Sequence, residues 1–305
     1  MSMFQAVRRS LATQVTLLLA AVVLTLTAVA AVVIVVQQRA RLEAATLEKA
    51  RLATSLGAHQ YGDVLDTEID VGALSVGDAF DRSYVLVKGW DFGKDPKYHT
   101  RYDAVTDRAV LPLLDAFLAD EDFVFAIGVD DHGYIPTHNS KFSQPLTGVP
   151  EKDLEGNRTK RKADYALGLK AAQSEEPTLV QEYRRNTGEL MWDVSSPIYV
   201  KGKHWGALRL GVSMDRIAAA QRRLGMTLAA LFAVFFFATT GTMFVVIRRA
   251  MRPVVELTAA AEQIAIGDAL ETPIKSRSQN EIGQLTKSID RLRSSMKAAM
   301  ARLGH

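Results

Sequence analysis

Of the six histidines in this 305-residue chain, the four at His99, His132, His138 and His204 lie in its middle part, between two long uncharged stretches. Histidine is the commonest metal ligand and titrates near neutral pH. None of the four shows a short His-x-x-x-His spacing, and His132 and His138 flank a turn expected at Asp130–Gly133. Metal or non-covalent haem binding is weighed against hydrogen-bonded structural or surface roles, and the spacing favours the latter. No metal site and no cofactor is expected. With no cysteine in the chain, disulfides, thiolate zinc, iron–sulfur clusters and thioether-linked haem are excluded. Asp193, Ser195 and His204 are the residue types of a nucleophilic triad, but no nucleophile elbow or paired-acid motif surrounds them, so an enzyme is not expected.

The run Asn157-Arg158-Thr159-Lys160-Arg161 sets three cations near the expected start of a helix at Asn157–Gln173. Cations beside unpaired backbone N–H groups attract anions; a solvated basic face is the plainer reading. Tyr134, His138 and Asn139 follow the Asp130–Gly133 turn. With Arg158 they are the candidate ligand contacts, packing being their alternative role. Trp192 and Trp205 read as core aromatics on adjacent strands.

The elements holding these residues change period along the chain. Leu42, Ala45, Leu52 and Leu56 continue a helix out of the first uncharged stretch, and residues 102–119 look helical with a kink at Pro112. Phe123–Val129 is a strand candidate, with Tyr134–Thr137 returning. Three further strand runs follow: Thr178–Arg184, Leu190–Val200 and His204–Val212. Turns at Asn186-Thr187-Gly188 and Lys201-Gly202-Lys203 separate them. Overall 48% of residues are apolar and 23% charged, ordinary globular values that argue against a disordered chain.

The uncharged stretches run from Ser10 to Gln38 and from Leu224 to Ile247. Each is long enough, at about 1.5 Å per residue, to span the roughly 30 Å hydrocarbon core. The first also offers Ala28-Val29-Ala30 as a cleavage site, but apolar sequence persists to Val36, well beyond a signal peptide's core. Two spans put both termini on one side. Residues 248–305 hold ten Lys/Arg and six Asp/Glu, a net +4, whereas residues 37–223 hold 25 and 28, a net −3. The positive-inside rule then places the termini in the cytoplasm. Arg39, Arg41, Arg222 and Arg223 run against it. The basic pI of about 9.0 is assigned to topology, because no basic stripe with interleaved aromatics suggests nucleic acid.

Beyond the second stretch, Val254, Leu257, Ala261 and Ile264 form one heptad seam, and Ile282, Leu285, Ile289, Leu292, Met296 and Ala299 a second. Such seams bury their apolar stripe only against other helices. Gly267 suits a helix C-terminus and Asn280 an N-cap. Two amphipathic helices joined by a connector directly after a membrane span resemble the HAMP domain of bacterial transmembrane receptors. The match lies in Pro253 and Leu257 of the first helix and Glu281-Ile282-Gly283 with Leu285 of the second. Asn280 departs from the acidic residue usual before that glutamate. The resemblance implies a parallel homodimeric coiled coil in which Pro253, Leu257, Glu281, Gly283 and Leu285 relay the signal.

Long helix, strand pair, helix and antiparallel meander resemble the PAS-like Cache sensor domain. The blocks at 97–103, 133–139, 157–161 and 204–207 look like the sensory part of one group of methyl-accepting chemotaxis receptors. The Arg-then-Trp-Tyr signature of amino-acid-binding Cache domains is absent. The expected architecture is an α+β membrane protein. It comprises a cytoplasmic N-terminus (1–10), a transmembrane helix (11–37), a Cache-like sensor (38–223), a second transmembrane helix (224–247), a HAMP domain (248–300) and a tail (301–305). No methyl-accepting signalling domain follows, so either a separate cytoplasmic output protein or a truncated receptor is expected. The expected function is sensing of a small ligand in the periplasm by a multi-pass protein of the bacterial inner membrane. The partners are membrane lipid, a second copy and that output protein, but no nucleic acid. A non-sensing accessory or scaffold subunit is the alternative.

Overall fold

The computed structural model describes residues 11–88, 96–184, 188–275 and 279–303. Arg8 and Arg9, the Asn186-Thr187 turn, the middle of the Lys275–Gln279 connector and the last two residues lie outside them. The first uncharged stretch opens α1 (Leu11–Asp70), a single 60-residue helix. The second lies within the 52-residue α7 described below. Both apolar stretches expose large side chains, among them Leu18, Leu26, Val234 and Phe237, as lipid-facing helices do. The chain divides into two compact units, residues 35–225 and residues 1–34 with 226–305.

In the first unit, α1 is followed by a short α2 (Val76–Ala79) and by β1 (Val85–Leu86) paired with β2 (Tyr98–His99). Next come α3 (Asp103–Val105), a π-helical turn (Thr106–Val110) and α4 (Leu111–Phe117). Proline cannot donate a backbone hydrogen bond, so a helix interrupts its ladder there. The kink expected at Pro112 takes the form of that wider turn, with Pro112 in the first turn of α4.

Four strands then form an antiparallel sheet: β3 (Phe123–Asp130), β6 (Leu179–Arg184), β7 (Leu190–Val200) and β8 (Lys203–Ser213), in the order β3-β8-β7-β6. The three meander runs lie where apolar alternation put them. Between β3 and β6 come β4 (Tyr134–Ile135), α5 (Pro150–Gly156), β5 (Arg161–Lys162) and α6 (Ala166–Gln173). The helix expected over Asn157–Gln173 is therefore corrected. Only Ala166–Gln173 is helical, because Pro150 starts an earlier helix that ends at Gly156, and Lys160 at φ +61° turns the chain into β5. The returning strand is also shorter than expected. Tyr134–Ile135 pairs with Arg161–Lys162, and among the described residues the segment's ladder pairing to β3 is the single bridge between Ile127 and His138.

Side chains alternate across the sheet, giving two cores. Ala58, Tyr61 and Leu65 of α1 pack with Ala126, Val194, Leu208 and Leu210 on one face. Burying each of those leucines stabilises by about 1.5–3 kcal/mol. Tyr61 lies so close that a Cβ on Gly128 would come 2.3 Å from its ring. The other face holds Phe125, Ile127, Val129, Met191, Ala207 and Ala163, with α6 packed against β7 and β8.

The helix α7 (Met214–Ala265) enters the second unit at Met226 and runs through Pro253 without a break, which leaves the Arg249 carbonyl without its usual donor. Gly267 at φ +90° ends it, donating to the Ile264 carbonyl while Asp268 N–H donates to Gln263 O. This is the helix stop expected from sequence. Asn280 Oδ1 accepts from Ile282 N–H at 3.1 Å, the expected N-cap of α8 (Glu281–Leu303). The connector is held by Asp290, which accepts from Ile274 N–H at 2.9 Å and Arg293 Nε at 2.7 Å.

Candidate functional site

Strand register decides which polar residues meet, since directly opposed residues share a face. Ser195 opposes Arg209, Arg209 opposes Ile127, and Ile127 bridges to His138. One row across β7, β8, β3 and the chain beyond thus carries Ser195, Arg209 and His138. The next row is Asp193, Gly211 and Phe125. Both lie on the face opposite α1, under α6.

Arg209 and Asp193 are 1% and 0% exposed and form an ion pair there. Arg209 Nε donates to Asp193 Oδ2 at 3.1 Å and Nη2 donates to the same oxygen at 2.6 Å. Burial disfavours the guanidinium charge, but Asp193 and the Tyr165 phenol outweigh it and hold the Arg209 pKa above its ordinary value. Asp193 takes Nε and Nη2, and the Tyr165 phenol adds a further acceptor beside the guanidinium. Arg209 Nη1 and Ser195 Oγ, both buried, have no hydrogen-bond partner. Buried donors left unmade cost about 1–3 kcal/mol each. Guanidinium N–H groups and a hydroxyl are donor types that suit a carboxylate or similar acceptor, and the Asp193 carboxylate is an acceptor.

Three of the four expected contacts adjoin this face. His138 packs against Phe125 and Phe142, with ring centroids 6.2 and 5.0 Å away. The Arg158 guanidinium lies 5.1 Å from the Phe142 centroid, and its backbone N–H donates to Phe142 O at 2.6 Å. Arg158 follows the C-terminal end of α5 rather than a helix N-terminus, which removes the helix-amide half of the anion argument. Asn139 Oδ1 accepts from Ala126 N–H at 3.3 Å and caps the outer edge of β3; its Nδ2 is buried without a partner.

Tyr134 belongs elsewhere. Its hydroxyl donates to Asp103 Oδ2 at 2.9 Å, and its ring meets Tyr84 and Tyr102 in the core on the α1 side. Asp130, 0% exposed, organises that core. Its Oδ2 accepts from Tyr84 Oη at 2.7 Å and Tyr102 Oη at 2.9 Å, with Arg82 Nε at 3.4 Å. Its Oδ1 accepts from the His132 and Tyr134 N–H groups at 3.0 and 2.8 Å. Burial, then Asp130, pushes the Tyr84 phenol pKa well up. Tyr84 itself sits at φ +42°, a strained position that this network over-determines.

The triad weighed from sequence does not assemble. Asp193 binds Arg209. His204 opposes Tyr199, four residues along β7 from Ser195, or about 13 Å at about 3.3 Å per residue.

Sequence reading missed Arg209 and Asp130. The signal for Arg209 was present: a lone arginine between Leu208 and Leu210 in a strand with no other formal charge from His204 to Val212. Such a charge inside a buried strand needs a partner.

In the second unit Leu257 and Gly283 are buried while Glu281 and Pro253 are exposed. Leu285 and Leu292, seven residues apart, are 44% and 63% exposed, so one heptad stripe is uncovered in the single chain.

Residues 245–298 match the family model of the HAMP domain. No curated protein matches the chain. Among solved structures, it is similar to the sensory domain of the Campylobacter jejuni chemoreceptor Tlp3 with isoleucine bound, at 11% identity over 59% of this chain and 64% of that one, with a TM-score of 0.28. The ligand-binding domain of Mlp24 with asparagine is similar at 12% identity over 65% and 61%, with a TM-score of 0.29. That of the Pseudomonas aeruginosa amino acid chemoreceptor PctC in complex with GABA is similar at 15% identity over 54% and 60%, with a TM-score of 0.25. The chain spans about three fifths of the length of these structures.

Proposed function

We propose that this protein is a homodimeric transmembrane signal transducer of the bacterial inner membrane. Residues 38–223 form its periplasmic sensor, residues 11–37 and 224–247 cross the bilayer, and residues 248–300 act as a cytoplasmic HAMP relay to a separate signalling protein. A small ligand binds the sheet face of Asp193, Ser195 and Arg209, with His138, Asn139 and Arg158 at its margin.

One observation carries the reading. β8, the strand bearing Arg209, ends at Ser213, and α7 begins at Met214. The backbone that would feel a ligand therefore leads, without an intervening loop, through an uncharged membrane-length helix into the segment that matches HAMP. A ligand need favour one packing over another by only about 1–3 kcal/mol to signal. Pro253, where the helical ladder lacks a donor, is a natural place for the packing to change, with Leu257, Glu281, Gly283 and Leu285 exchanging neighbours. The uncovered Leu285–Leu292 stripe supports the dimer.

Thermal-shift screening of the full chain against metabolites tests the sensor, since a ligand at 100 times its dissociation constant adds about 2.7 kcal/mol. Hits are expected to lose their shift in Arg209→Met. Disulfide crosslinking through Leu224–Ile247 tests the relay. A pattern unchanged by every hit, or no hit at all, would return the protein to an accessory role.

A further inference from the structure

A second site stands at the other end of the membrane helix. The uncharged run ends at Ile247, and Arg248, Arg249 and Arg252 follow within five residues. These arginines line a cavity of about 690 Å³ together with Phe244, Val245 and Ala12 of α1. The apolar residues lie one helical turn toward the membrane and the arginines one turn beyond. The cavity is therefore greasy where acyl chains end and cationic where headgroups begin. Arg252 shares its charge with Glu256, whose Oε1 accepts from Nε at 2.8 Å; no carboxylate among the described residues pairs with Arg248 or Arg249.

Helical phase keeps this cavity clear of the proposed dimer seam. At about 100° per residue, Val254, Leu257, Ala261 and Ile264 centre on one face of α7, and Val245, Arg248, Arg249 and Arg252 on the opposite one. A partner helix on the seam leaves the arginines uncovered.

We propose that this cavity binds the headgroup of an anionic phospholipid, with the Arg248, Arg249 and Arg252 guanidiniums on its phosphate and an acyl chain along Phe244 and Val245. Guanidinium forks match phosphate oxygens in bidentate fashion, and basic residues beside a membrane helix concentrate acidic lipid. Occupancy would fix the depth of the helix segment just before Pro253, and so tune the relay. The proposal rests on the membrane-spanning reading.

The full chain is reconstituted in nanodiscs of phosphatidylcholine with or without phosphatidylglycerol, and retained lipid is counted by native mass spectrometry. R248Q/R249Q/R252Q is compared with R222Q/R223Q, which removes arginines from the other end of the same helix. Phosphatidylglycerol is expected to be retained selectively. Its retention should fall about tenfold in the triple variant and stay near the parent's in the double variant. Equal retention of both lipids, equal losses in both variants, or displacement by inorganic phosphate overturns the lipid site. Alkaline carbonate extraction separates the two levels. Release of the unmodified chain overturns the membrane reading and this site with it. A chain that stays in the membrane without lipid preference overturns this site alone.

Discussion

The two faces of the β3-β8-β7-β6 sheet each bury a carboxylate, and they use it in opposite ways. Asp130 faces the α1 side and accepts from two phenols and two backbone N–H groups, with Arg82 beside it. Asp193 faces α6 and serves one arginine, whose Nη1 and whose neighbour Ser195 Oγ remain unpartnered. A fully satisfied buried network rigidifies, whereas a partly satisfied one carries a standing cost. Burial does not distinguish the two carboxylates, since both are 0% exposed; the number of their partners does, and it is the basis for proposing the Asp193 face as the ligand face.

The largest effect expected is at the scaffold. Asp130→Ala strips the acceptor from four donors and leaves Arg82 with Asp131, at 2.7 Å, as its remaining carboxylate. Burial opposes the Arg82 charge, and Asp130 leads the groups that keep it. A loss of about 5 kcal/mol in denaturant unfolding of the detergent-solubilised chain is expected. A loss below about 1 kcal/mol would end the contrast between the faces.

Arg209→Met comes next. It leaves Asp193 buried and alone, at a cost of about 3 kcal/mol. The double variant Asp193→Leu/Arg209→Met should regain the parent's stability, since apolar replacement of a buried pair is often neutral or better. It should nevertheless show no ligand-induced melting shift. Recovery of both stability and response would make the pair structural, like its counterpart across the sheet. Tyr134→Phe sharpens the same boundary. It removes the hydrogen bond to Asp103, costs about 1–2 kcal/mol in unfolding, and should leave ligand shifts untouched.

Strand positions, helix ends and heptad seams were legible because each rests on local signals: period-two alternation, Gly267 after an apolar seam, Asn280 before one. The Asn157–Gln173 helix was misread because composition alone cannot show that Pro150 starts the helix early and Lys160 takes a left-handed turn. Tyr134 was placed with His138 because both follow the Asp130–Gly133 turn. The chain between crosses from one side of the sheet to its outer edge, so the two contribute to different cores. The Asp130 hub joins residues from 82 to 134, and only the fold brings them together.

The smallest effect concerns Lys97, which ties the scaffold to the loop at the margin of the proposed ligand face. It precedes Tyr98 of β2, and its Nζ donates to Thr159 O at 2.6 Å and also to Asn157 Oδ1 in the basic loop. Burial, reinforced by Arg161 and Lys160, lowers its pKa from 10.5 to about 7. The sign follows from proton counting. Below about pH 7 folded and unfolded chains both hold the proton, and the full burial penalty applies. From pH 7 toward 10.5 the folded chain sheds it while the unfolded chain keeps it, so stability rises with pH. Unfolding midpoints of the parent and Lys97→Met at pH 6.5 and 9 isolate this contribution from other titrating groups. The parent should gain more than the variant on going to pH 9. Equal gains would mean that the ammonium is well solvated or well paired, and that the loop carrying Arg158 is not held by a titrating tether.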